Sequence, residues 1–69
     1  MISDRLEKLV EEMVDKGVRF DDAVQEFEKR FISRVVQQSA GNLSRAADTL
    51  GVHRNTLTRK IKDLKIRAR

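Results

Sequence analysis

Cysteine, proline, tryptophan and tyrosine are absent from the chain, and only three glycines and three phenylalanines occur. Without cysteine, neither a disulfide nor a thiolate metal site can brace a small fold. The lack of proline, together with 38% charged residues, points to an all-helical chain. All three aromatic side chains precede residue 32, upstream of the most basic region, which argues against stacking on single-stranded nucleic acid. Apolar runs never exceed two or three residues, so no segment can span a bilayer. Asp4, Glu7, Glu11 and Glu12 crowd the N-terminus, where a signal peptide would need apolar residues. A soluble, cytoplasmic protein with no membrane partner is expected.

An enzyme lacks its parts here. There is no glycine-rich phosphate loop, and the single histidine, His53, has no obvious carboxylate partner. A chain of 69 residues also leaves little material to enclose a substrate pocket. No catalytic residue, cofactor, metal or small-molecule substrate is expected. A single core of this size rarely supplies more than about 3–5 kcal/mol of net stability. A partner chain is the usual remaining support, so size alone points to an oligomer.

The charge that is present is unevenly placed. Residues 1–33 hold six Lys/Arg and nine Asp/Glu, a net of −3. Residues 34–69 hold nine and two, a net of +7. This reads as an acidic scaffold joined to a basic working end.

Apolar periodicity divides the chain into four helices. Ile2, Leu6, Leu9, Val10, Met13 and Val14 recur at helical steps, with Ser3 or Asp4 as cap and Gly17 as stop. This predicts a helix over about 4–16. Asp21 or Asp22 opens a longer one, about 22–39, whose stripe includes Ala23, Val24, Phe27, Phe31, Ile32, Val35 and Val36. Gly41 marks its end. Asn42 caps a short third helix, 43–50, with Leu43, Ala46, Ala47 and Leu50 inward. Gly51 punctuates, and Val52, Leu57, Ile61 and Leu64 anchor a fourth helix over about 54–64.

The two short helices cannot cover both long ones. A second copy packing on Leu6, Leu9, Val10, Met13, Val24, Phe27, Phe31 and Val35 would complete the burial as a homodimer. The alternative is that these stripes close on the downstream helices alone. Phe27 and Phe31 are core or dimer residues at helical spacing.

Two short helices around a glycine turn match the helix-turn-helix pattern. Ala46 and Ala47 let the helices cross closely, and Gly51 permits a positive φ in the turn. The outward side of the fourth helix then carries Arg54, Asn55, Thr58, Arg59 and Lys62. A major groove admits one α-helix, and residues near its N-terminus reach base edges. Arg54 suits guanine and Asn55 suits adenine. Phosphate contacts are assigned to Thr56, Thr58, Arg59 and Lys60, and to Asn42, Ser44 and Arg45 where the third helix opens. His53 is a helix cap or a phosphate contact. Lys65, Arg67 and Arg69 form a basic tail.

The stretch GNLSRAADTLGVHRNTLTRKIKDLKI resembles the Fis-type helix-turn-helix family. That family includes nucleoid proteins and the C-terminal DNA-binding domains of NtrC-type transcriptional activators. The resemblance rests on Gly41, Asn42, Ser44, Ala46, Ala47, Leu50, Gly51, Val52, Arg54, Thr56, Leu57, Lys60, Ile61, Leu64 and Ile66. It implies an all-α, four-helix domain: two dimerisation helices within 1–40, a helix-turn-helix in 41–66 and a tail at 67–69. It further implies a bacterial, nucleoid-associated homodimer that binds double-stranded DNA in successive major grooves and bends it. Arg54 would be the main base contact, with Asn42, Ser44, Thr56 and Lys60 on phosphates. The competing class is a helical interaction module whose basic end docks an acidic protein.

Overall fold

The computed structural model describes residues 1–66, so the tail expected at 67–69 lies outside the described residues. Four helices follow one another: α1 (Ile2–Asp15), α2 (Phe20–Gln38), α3 (Leu43–Leu50) and α4 (Arg54–Asp63). No strand occurs among the described residues, and the fold is all-α. No helix there is long and apolar enough to cross a membrane.

Helix starts differ from the expected ones where capping was read from side chains. α1 begins at Ile2 after Met1, and neither Ser3 nor Asp4 caps it. Asp4 lies in the first turn instead, where its charge favours the positive end of the helix dipole. α2 likewise begins earlier, at Phe20 behind an extended Arg19, which places Asp21 and Asp22 in the first turn. The dipole accommodates these acids inside the helix as well as a cap would outside it.

All four helices end by one device. The residue after the last turn takes a left-handed φ, its N–H returns to the third carbonyl back, and the next N–H returns to the fifth. After α1, Gly17 (φ 77) donates to Val14 O and Val18 to Met13 O at 2.9 Å. After α3, Gly51 (φ 74) donates to Asp48 O and Val52 to Ala47 O at 3.1 Å. After α2 the left-handed position falls on Ala40 (φ 52), one residue before the glycine. After α4 it falls on Lys65 (φ 55), and Ile66 N–H bonds Ile61 O at 2.9 Å. That last turn folds Ile66 back into the core, where it is buried.

The core itself is off-centre. Ile32, Val35 and Val36 of α2 meet Ala46 and Ala47 of α3, Leu57 of α4, and Ile66. Leu43, Leu50, Ile61 and Leu64 pack around that group. α3 therefore sits between the C-terminal half of α2 and α4. The alanines contribute by being small, since a larger side chain would push the axes apart.

No residue of α1 is buried. Its Leu6, Leu9 and Met13 face Ala23, Phe27, Phe31 and Val35 of α2 across an open apolar groove of about 820 Å³. Charged ends of Glu26, Arg30 and Arg34 rim the groove. Val35 forms part of its floor but already belongs to the core, so a covering partner would bury little more of it. Val10 and Val24 do not line the groove, although both remain exposed.

Candidate nucleic-acid interface

Asn42 stands at the entrance to α3 in extended conformation, and its Oδ1 accepts the N–H of Arg45 at 3.1 Å. That capping bond uses the side-chain oxygen and leaves the amide NH2 free to donate outward. Ser44 and Arg45 are exposed in the first turn beside it. Here unpaired backbone N–H groups and the positive end of the dipole favour an anion.

Four residues after the turn glycine, α4 is under way. His53 is its cap: Nδ1 accepts the N–H of Asn55 at 3.1 Å, which leaves Nε2 as the donor nitrogen. One residue thus serves the helix through one nitrogen and faces solvent with the other. Asn55, Arg59 and Lys62 are exposed on the side away from Leu57, which is fully buried, and Arg54 is exposed at the first position of the helix. The structure therefore brings Asn55, Arg59 and Lys62 onto one outward face, with Arg54 exposed at its N-terminal edge. Thr56 is half-buried and lies toward the inner flank.

Three side chains depart from what their spacing suggested. Val52 was expected to anchor α4, yet it is exposed, and its contribution is the backbone N–H that closes α3. Thr58 donates its hydroxyl proton to Arg54 O at 3.0 Å, one turn back. In that rotamer it offers a phosphate lone pairs and no proton. Lys60 is half-buried, and its Nζ donates to Glu28 Oε1 on α2 at 3.1 Å. The partner of Lys60 was missed because nothing local connects residues so far apart in sequence. The inward placement of Lys60 was readable, since it follows Leu57 by three and precedes Leu64 by four.

Among the described residues no cluster of histidine, cysteine and acidic side chains could hold a metal ion. Two other ion pairs, Met1 amino to Asp4 and Arg30 to Glu26 at 2.8 Å, are exposed and remote in sequence from α4. Such surface pairs are worth about 0–1 kcal/mol each.

Against this geometry, a family profile described as "Bacterial regulatory protein, Fis family" matches residues 23–64. The match covers most of α2 and all of α3 and α4. The chain belongs to the Fis family. A relative from Clostridium beijerinckii, described as a signal-transduction and transcriptional-control protein, is 45% identical over 47 residues. That alignment covers 68% of this chain but 7% of the relative, so the chain spans a small fraction of the curated relative's length. No solved structure matches the chain significantly. In this Fis-family chain the matched segment holds every residue of the outward face on α4.

Proposed function

We propose that this Fis-family chain binds double-stranded DNA as a transcriptional regulator, laying α4 in the major groove. The observation that carries the reading is the division of α4: Leu57 is fully buried against the core, Asn55, Arg59 and Lys62 are exposed on the far side, and Arg54 is exposed at the N-terminal end, where the helix begins. A helix so divided can enter a groove only one way round. Arg54 and Asn55, at its N-terminal end, read base edges; Arg59 and Lys62, with Asn42, Ser44 and Arg45 at the start of α3, hold phosphates. His53 adds a donor through Nε2. The name of the Clostridium relative, a transcriptional-control protein, supports the same reading.

The active form in this proposal is a homodimer. The groove between α1 and α2 leaves Phe27 56% and Phe31 52% exposed, an adjoining pair of aromatic rings on an open apolar surface. A second copy covers it through the same patch, as two-fold symmetry requires, and presents two copies of α4 to one side of a duplex. Two such helices held by short rods favour a bent duplex over a straight one.

Titration of a duplex against salt tests the reading. With about four phosphate contacts per subunit, a dimer makes about eight, and log K falls against log[salt] with a slope near −7. The second reading, a helical module docking an acidic protein, has the same apolar groove in its favour but predicts a barely sloping DNA titration. Selection of bound duplexes from a random pool then gives site, half-site spacing and symmetry together.

A further inference from the structure

Among the described residues, one side-chain hydrogen bond alone joins two helices. Lys60 Nζ of α4 donates to Glu28 Oε1 of α2 at 3.1 Å, across 32 residues of chain. Every other side-chain bond there closes within four residues. The pair is half-buried, with 38% and 36% of the two side chains exposed. Apolar contacts through Leu57 and Ile61 hold α4 against the core, and the hydrophobic effect behind them is non-directional. A donor and an acceptor on different helices add the direction that packing lacks.

We propose that Glu28 and Lys60 are a positioning pair: they set the roll of α4 against α2, and Lys60 does not itself hold phosphate. The inference rests on reading α4 as the DNA-facing helix. To reach a phosphate, Lys60 would have to share its charge with Glu28 or break that bond, and either leaves a carboxylate under-compensated beside a polyanion. Kept together, the pair is neutral and releases no counterions when DNA binds. Its effect reaches DNA through Arg54 and Asn55, because polar readout depends on placement to about half an ångström. Glu28 thus belongs to the working surface without touching the ligand.

Salt titrations of duplex affinity decide the matter, using the 69-residue chain and variants of similar side-chain size. Glu28→Gln and Lys60→Met are each expected to lower affinity about two- to fivefold, the range of a part-exposed ion pair. The slope of log K against log[salt] stays at the wild-type value in both. The double reversal, Glu28→Lys with Lys60→Glu, restores affinity above either single reversal, which a purely local stability role for one residue would not produce. A slope that flattens in Lys60→Met, by about 0.9 for each phosphate no longer neutralised, overturns the proposal. So does tighter binding by Glu28→Gln, which would make Glu28 a competitor for Lys60. Wild-type affinity in both single variants overturns it as well. Wild-type protein that binds no duplex would instead sink the DNA reading, and this inference with it.

Discussion

Phe27 and Phe31 stand one turn apart on α2 with ring centroids 5.5 Å apart and planes tilted by 39°. Both rings lie in the groove between α1 and α2, and each leaves about half its surface to solvent. A tilted pair at this distance gives about 0.5–1.5 kcal/mol beyond simple burial. In the proposed dimer the pair is half of the interface. Phe31→Ala is expected to leave the core of α2, α3 and α4 intact while weakening self-association and DNA affinity together. The loss is about 3–5 kcal/mol if the ring is fully buried between copies. Sedimentation and duplex titration on one preparation check it; an unchanged oligomeric state refutes the assignment.

Arg54 tests the working face directly. It is exposed at the first position of α4 and holds no ion pair among the described residues. Arg54→Ala should leave the melting temperature unchanged and lower the preference for the best site over random DNA by about 1–3 kcal/mol. Equal losses on both duplexes would make Arg54 a phosphate contact.

The end of α2 offers a stability test. Ala40 sits at φ 52, a conformation in which its Cβ crowds the backbone at a cost of about 1–2 kcal/mol. Glycine removes that strain but gives back part of the gain as chain entropy in the unfolded state. Ala40→Gly should therefore raise stability by roughly 0.5–1 kcal/mol, about 3–6 °C in melting temperature for a domain of this size. Lys65→Gly tests the same logic at φ 55.

These helix ends also mark how far the sequence could be read. Gly17 and Gly51 announced their turns because glycine alone takes a left-handed φ without penalty. Ala40 and Lys65 gave no such sign; tertiary packing overrides their preference, and at Lys65 the burial of Ile66 rewards the turn. The outward face of α4 was legible because Leu57, Ile61 and Leu64 fix the inward one by spacing. Its polar couplings were not. Thr58 bonding back to Arg54 and Lys60 reaching Glu28 depend on rotamers and on how helices distant in sequence meet, neither of which a periodicity encodes.

His53 carries two roles that substitution can separate. Its Nδ1 caps α4 by accepting the Asn55 N–H, while Nε2 is left as a donor for a phosphate. His53→Ala removes both, and loss of a cap costs about 0.5–2 kcal/mol. Asparagine is a strong N-cap residue whose side-chain oxygen can take over the bond to the α4 backbone, yet its shorter side chain does not place a donor where Nε2 stands. His53→Asn should therefore keep the wild-type melting temperature that His53→Ala loses. If both variants bind DNA more weakly with the wild-type salt slope, as loss of a neutral donor requires, His53 is a phosphate contact. If His53→Asn matches wild type on DNA as well as in stability, the imidazole serves the helix alone, and the anion at this corner is held by Asn42, Ser44 and Arg45.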